Sequence, residues 1–479
     1  MNTLSPTTAA TIAPTVVDLR AVFSAQRTAY EADRFPSAPV RIDRLRRLEA
    51  LLHANQAELG QAIATDFGQR PLAETRLLEI FPSLEAVRHA RSQVRRWMRP
   101  ERRATSLWFL PGRSEVVAQP LGVIGIMVPW NYPILLAVSP LAAAMAAGNR
   151  AMVKVSELTP NTSALFLKLV GEHFASDEVQ VIAGDTDVAR AFAGLPFDHL
   201  LFTGSTRVGH HIMRAAAENL TPVTLELGGK SPAMVAPGYS LARAADRIMV
   251  GKLMNAGQTC IAPDYVLVPH AQVDAFVQAC VVEVGRLYPG IDTSPDYATV
   301  VNRAHFERLT GYLDEARAAG AKIIPLTDAT ANPDTRRLPP IAITGAPDSC
   351  ALMRDEIFGP LLPIVGYANF DEALDYVNAR PRPLAMYLFD RDERRITRAL
   401  REIVAGGVTV NDTILHIAQE NLPFGGVGAS GMGHYHGHDG FNTFSQRKGV
   451  FRQSRLNAMG WFKPPYGARF RRLVDLLIR

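Results

Sequence analysis

His199-Leu-Leu-Phe-Thr-Gly-Ser-Thr-Arg-Val-Gly209 carries the pattern that decides the fold: an apolar run, a Gly/Ser turn, then a helix expected over Val208–Asn219. A short apolar run closed by a glycine is the signature of a buried strand. Ala151-Met-Val-Lys-Val155 repeats the unit, with Ser156 and Pro160 supplying a turn and a helix start. Val116-Val117 and Val123 to Val128 are further strands of this kind. Downstream, strands are expected at Tyr265–Val268, Lys322–Pro325, Pro360–Gly366 and Gly407–Asn411, with helices at Ala271–Leu287 and Ala304–Ala319 between them. Alternation of strand, loop and helix builds parallel sheets covered by helices on both faces. Two α/β domains joined near Glu226–Ser231 are the simplest division. Before them, Val17 to Trp97 is helical, with Leu45, Leu48, Leu51, Leu52 and Leu59 on one apolar stripe.

Composition narrows the class. A chain of 479 residues that is 47% hydrophobic and 20% charged can bury large cores, so disorder as the main state is excluded. Its net charge of +5 is a weak field over this length and argues for no polyanionic partner. Three distant cysteines, Cys260, Cys280 and Cys350, suit a reducing compartment, where a special cysteine is reactive rather than structural. Met1 to Pro14 has no basic n-region, and Ile134 to Ala147 falls short of the roughly 18 apolar residues that span a bilayer. A cytoplasmic protein is the expectation.

Four stretches can carry chemistry. Gly257-Gln-Thr-Cys260 sets a thiol at a glycine turn, where it can face a cleft, although a lone cysteine is commonly only a small buried hydrophobe. Cys280 and Cys350 receive that blander reading. In Leu225-Glu-Leu-Gly-Gly-Lys230 a carboxylate interrupts an apolar stretch; burial raises its pKa and suits a general base, with a Glu226–Lys230 salt bridge as the alternative. In Pro129-Trp-Asn-Tyr-Pro133 the Asn131 amide can donate to an oxyanion or close an Asx-turn. The turn after Phe202 offers free helix N-terminal amides to a pyrophosphate, yet Ser205 and Thr206 stand where the dinucleotide fingerprint wants its second glycine.

Other features read as plain structure. His434, His436 and His438 alternate through a Gly-rich loop, and no metal is expected there; Tyr435 and His436 are expected to border the substrate mouth instead. Arg88 to Arg103 holds seven arginines and one glutamate; a solvated helix face fits it better than nucleic acid. Near the C-terminus Phe470, Leu473, Val474 and Leu477 form a stripe flanked by arginines, expected to cover protein surface and not to insert stably in a membrane.

Taken together, Asn131, Lys154, Glu157, Gly204, Glu226, Cys260 and Glu356-Ile-Phe-Gly-Pro360 occur in one order that resembles the aldehyde dehydrogenase superfamily over roughly Val17 to Val450. Glu226-Leu-Gly-Gly-Lys-Ser231 and Gly257-Gln-Thr-Cys260 are the specific segments. Gln258-Thr-Cys-Ile-Ala-Pro-Asp-Tyr-Val266, Leu422 to Gly437 and Phe441-Asn-Thr-Phe-Ser445 resemble the branch holding class 3 and coniferyl aldehyde dehydrogenases. Ala137 to Glu157 looks closer to the coniferyl enzymes.

That resemblance implies two Rossmann-like doubly wound domains plus a small β-strand oligomerisation extension. It divides the chain into a tail (1–15), an NAD(P)-binding domain (16–100 and 120–226) and a catalytic domain (227–430). Oligomerisation strands (101–119 and 440–455) and a C-terminal tail with an amphipathic helix (456–479) complete the division. Cys260 is then the nucleophile, Asn131 the oxyanion donor and Glu226 the base that activates hydrolytic water. Lys154 and Glu157 would meet the adenine ribose, Gly204, Ser205 and Gly209 the pyrophosphate side, Glu356 the nicotinamide ribose, with Phe358 and Trp130 beside it. Glu157 would repel a 2′-phosphate and favours NAD, while Lys154 leaves NADP open. The implied reaction is oxidation of an aldehyde to an acid in a homodimer. Coniferaldehyde or a similar aromatic aldehyde is the expected substrate, and a medium- or long-chain aliphatic aldehyde the alternative. A nucleotide-binding relative without catalysis is the remote one.

Overall fold

In the computed structural model, which describes residues 18–457 and 459–478, the quoted stretch is the strand His199–Gly204 running into the helix Thr206–Ala217. The expected tail at 1–15 lies outside the described residues. The strand is buried along nearly its whole length, as a parallel strand covered on both faces must be. It pairs in parallel with Val123–Met127 on one side and Val223–Leu227 on the other. Beyond Val123–Met127 come Arg150–Lys154 and Val179–Ile182, also parallel. The chain thus winds outward from Val123–Met127 in one direction, then returns and winds the other way. The switch falls between Val123–Met127 and His199–Gly204, and ligands of doubly wound sheets sit outside the carboxyl ends at such a point. A sixth strand, Gly431–Met432, closes the sheet antiparallel to Val223–Leu227, placing Gly431 opposite Glu226.

The second sheet has seven strands in the order Lys322–Pro325, Ile341–Thr344, Leu361–Tyr367, Tyr265–Pro269, Pro232–Val235, Ala385–Phe389, Gly407–Val410. Only Lys322–Pro325 runs antiparallel. Leu227 ends the first sheet and Pro232 opens the second, so Gly228 to Ser231 is the crossing between them.

The apolar Ile134–Ala147 stretch becomes the helix Leu135–Ala147, buried on almost every face and therefore central. Against it lie Ala38–Phe67, with Leu45, Leu48, Leu51, Leu52 and Leu59 fully buried, and Phe81–Trp97. Among the described residues, no helix is long and apolar enough to cross a membrane.

A three-stranded antiparallel sheet stands apart: Glu101–Arg103, Arg113–Pro120 and Ser445–Arg452, with Ser445 opposite Pro120 and Arg452 opposite Arg113. The arginine run therefore divides between a helix and this sheet instead of forming one helix face. Several of its members pair locally, Arg88 with Glu49 at 2.8 Å and Arg103 with Glu101 at 2.9 Å. The apolar stripe near the C-terminus lies on the helix Ala468–Ile478, none of whose residues is buried.

Candidate active site

The last strand of the first sheet delivers Glu226 to the seam between the two sheets. Glu226 is buried, and neither carboxylate oxygen has a hydrogen-bond partner in the protein. Burial alone pushes its pKa well above the usual carboxylate range. Lys230, the alternative partner, turns away to Asp264 and donates to Leu352 O at 2.8 Å and Asp355 O at 3.0 Å. The Glu226–Lys230 salt bridge does not form.

Cys260 follows a tight 3-10 turn, Met254–Gly257, that ends the helix Leu241–Leu253. Gly257 has φ +79°, and a Cβ there would collide with the carbonyl of Gly359, so the turn demands glycine. Gln258 pins the loop: its amide donates to Asn255 O (2.9 Å) and Thr299 O (3.0 Å) and accepts from Val301 N (2.9 Å). Burial pushes the Cys260 thiol far up, and the carboxylates of Glu356 and Glu226 push it further. The backbone N–H groups of Cys260 and Ile261 oppose this. The resting thiol is protonated and needs a base.

Asn131 forms no Asx-turn. Its Nδ2 donates across the seam to Gln258 O at 3.2 Å, two residues before the cysteine. Next to it, Tyr132 Oη and Thr259 Oγ1 share a hydrogen bond of 2.6 Å. The strand-end amide and the thiol turn, far apart in sequence, are thus tied together.

Glu356 folds over the glycine pair after Glu226; a Cβ on Gly228 would strike its carboxylate. Burial and Asp264 raise its pKa to about 8, against the Gly229 N–H, Lys230 and Arg308. Its Oε1 has no partner in the protein. Trp130 lies against Phe358 edge-to-face at 5.4 Å and against His305 at 5.2 Å. Lys154 is buried, Glu157 half exposed, with their charged atoms 3.6 Å apart. Ser205 caps its helix, accepting from Val208 N at 3.4 Å, and Gly209 lies in the first turn against Leu227.

Sequence reasoning set Tyr435 and His436 at the substrate mouth but missed Phe424, around which an aromatic wall is built. His416 and His436 each stack on Phe424, at 6.0 and 5.0 Å, and Tyr435 stands edge-on to both Phe424 and His436. Glu226 and Cys260 both neighbour Tyr435, and Cys260 neighbours Tyr387, whose ring lies 6.2 Å from His416. His416 Nε2 and His436 Nδ1 are buried without partners, and burial lowers these imidazoles to about 4 and about 3, so both are neutral. His438 stacks on Trp97, away from His436. Among the described residues, no group of three or more His, Cys, Asp or Glu could hold a metal. A second miss is Glu79 in Leu77-Leu-Glu-Ile-Phe81, a carboxylate within an apolar run, the same signal that singled out Glu226.

A half-buried thiol, an amide donor and an unpartnered carboxylate meet between two doubly wound sheets, an arrangement that can carry covalent carbonyl chemistry. The aldehyde dehydrogenase family model matches residues 2–450, and this chain belongs to that family. A probable coniferyl aldehyde dehydrogenase of Pseudomonas aeruginosa is 52% identical over 456 residues, covering 95% of each chain. A coniferyl aldehyde dehydrogenase of a Pseudomonas species is 44% identical over 444 residues, 92% of each. Among solved structures, Staphylococcus aureus AldH in a substrate-bound state aligns with a TM-score of 0.91 at 36% identity, over 96% of this chain and 99% of that one. Betaine aldehyde dehydrogenase of the same organism, in complex with NAD+, gives 0.81 at 26% identity, over 93% and 89%. The protein is an NAD(P)-dependent enzyme that oxidises an aldehyde to a carboxylic acid.

Proposed function

We propose that the substrate is a flat aromatic aldehyde of the coniferaldehyde type, oxidised with NAD by Cys260, Asn131 and Glu226. The observation that carries the chemistry is the seam itself: Asn131 bonded to the cysteine loop, with Glu226 buried and unpartnered nearby. Cys260 Sγ attacks the carbonyl carbon, forming a C–S bond, while the thiol proton passes to Glu226. Asn131 Nδ2 and the Cys260 N–H then hold the oxyanion. A bound dinucleotide would supply the acceptor for the hydride that leaves the carbon bound to Cys260, which then becomes a thioester. Glu226 releases the thiol's proton to solvent and then takes one from water, whose oxygen attacks the thioester carbon. The C–S bond breaks, releasing the acid, and Glu226 returns its proton to Cys260 Sγ.

The residues present fit a dinucleotide. Glu356 Oε1 is a buried acceptor awaiting a hydroxyl donor, and Lys154 with Glu157 forms a donor–acceptor pair beyond the strand end. Gly204, Ser205 and Gly209 follow the strand at the switch point, with Trp130 and Phe358 as the aromatic side of the cleft. Glu157 disfavours a 2′-phosphate, which supports NAD over NADP.

The wall of Phe424, Tyr435, His416 and His436 supports an aromatic substrate, since rings gain from stacked and edge contacts that an alkyl chain does not make. The names of the Pseudomonas relatives point the same way. The domain division given above is retained, with two copies pairing through the three-stranded sheet. Leu107, Trp108, Phe109 and Leu110 at its tip are exposed and apolar, which supports a covering partner. Three free cysteines support a cytoplasmic setting.

The test mixes purified protein with coniferaldehyde, benzaldehyde or decanal and NAD or NADP, following reduced nicotinamide beside Cys260→Ala. NADH formed fastest from coniferaldehyde and abolished in the variant is the expected result. Preference for decanal would overturn the aromatic reading alone. Turnover surviving Cys260→Ala would overturn the mechanism.

A further inference from the structure

One buried ionic group touches both halves of the seam without being part of its chemistry. The Arg70 and Glu79 side chains are completely buried and meet at 2.7 Å. Arg70 Nη1 also donates to the carbonyl of Asn131 at 2.9 Å, and its guanidinium lies over the Tyr132 ring at 4.7 Å. The second Glu79 oxygen accepts from Ile134 N (2.8 Å) and Leu135 N (3.3 Å), the first amides after Pro133. On the other side, Glu74, 3.7 Å from Arg70 Nε, accepts from Asn255 N at 2.9 Å. Asn255 Nδ2 in turn donates to Asn131 O at 3.1 Å.

Asn255 is where the cysteine turn is under strain. Asn255 and Ala256 both sit at φ +51°, a region disfavoured for residues with a side chain, so outside contacts must hold them there. Glu74 and Asn131 provide those contacts. The segment that bears the three charged groups includes a π-helical turn, Arg76–Ile80, a feature frequent near functional sites.

We propose that Arg70, Glu74 and Glu79 are positioning residues for the reaction: they clamp the Asn131 segment to the turn that carries Cys260 and so set the geometry of the oxyanion site. This rests on the roles given above to Asn131 and Cys260. A clamp of this kind acts on the transition state more than on cofactor binding, because the oxyanion exists only during the chemical step. Displacement of a reacting group by about 1 Å costs on the order of 100-fold.

The experiment compares Glu74→Ala and Glu74→Gln in the full-length protein with the best aldehyde from the panel above. Glu74→Ala is expected to lower kcat about 10- to 100-fold, with the dissociation constant for NAD, read by protein fluorescence, essentially unchanged. Glu74→Gln keeps an oxygen to accept the Asn255 N–H and is expected to recover most of the loss. If Glu74→Ala fails to fold, Asn255→Gly takes its place: glycine suits φ +51° and removes the bonds to Asn131 O and, more weakly, to Gln258 O at 3.3 Å. A folded Glu74→Ala or Asn255→Gly with parental kcat overturns the clamp, as does equal loss of kcat and NAD affinity, or a glutamine that rescues nothing in a Glu74→Ala that folds. Activity that survives Cys260→Ala would instead overturn the catalytic roles beneath it.

Discussion

Glu79 and Glu226 are both fully buried carboxylates set in apolar runs, and they differ in one respect: Glu79 is met by Arg70 and two backbone amides, while Glu226 is met by nothing in the protein. A buried charge is costly unless paired, so the first arrangement holds a scaffold together and the second keeps a group ready to change its protonation. The same contrast runs through the seam. Lys230 is satisfied by Asp264 and two carbonyls, while Glu356 Oε1, His416 Nε2 and His436 Nδ1 are left without partners.

The strongest attack on this contrast exchanges the two acids for glutamine. Glu226→Gln is expected to lower kcat by about 10²–10⁴-fold through loss of the base, with acyl-enzyme accumulating in a rapid-quench experiment and no loss of thermal stability. Glu79→Gln should do the opposite first, leaving Arg70 only the more distant Glu74 as counter-charge and costing about 3–5 kcal/mol in a denaturant titration. Equal behaviour of the two variants would erase the distinction. Next in size, Asn131→Ala should reduce kcat on the order of 10²–10³-fold in the steady-state assay, the usual effect of deleting one oxyanion donor.

Both Cys260 and Glu226 are pushed up by burial, so their ionised forms grow as pH rises. The rate kcat/KM should therefore climb from about pH 6 to about pH 9, and a profile falling over that range would contradict the burial of either group. Stability should move the other way. Glu356 is raised from 4.5 to about 8, so the folded state holds its proton more tightly than the unfolded chain. That contribution is complete below the ordinary value and fades as pH rises through about 8. Glu356→Gln should flatten the decline in Tm between about pH 5.5 and about pH 8.5, as read by differential scanning fluorimetry. Smallest of all, His436→Phe should raise KM for coniferaldehyde a few-fold and leave that for benzaldehyde unchanged, since only the former carries a ring hydroxyl that a neutral imidazole can bond.

What the sequence made legible was local. The strand and turn around His199–Gly209, the isolated carboxylate Glu226 and the glycine turn before Cys260 each announce themselves within a few residues. What stayed hidden depends on contacts across the chain. Nothing near Glu226 says that Lys230 will choose Asp264, and nothing near Asn131 says that its amide will reach Gln258. Glu79 offered the same local signal as Glu226, yet only packing against Arg70 decides that it is structural. The strand Gly431–Met432 was unreadable because a two-residue pairing inside a Gly-rich loop has no alternating pattern to detect.

That small strand bears on how the protein is made. Gly431 lies opposite Glu226, and Leu227 N reaches Ser430 O at 3.1 Å, so the edge beside Glu226 is sealed by chain made about 200 residues after it. During synthesis the first domain can assemble early, in the order in which chains emerge, with one sheet edge bare beside Glu226. The pocket around Glu226 is thus closed only by chain made about 200 residues later.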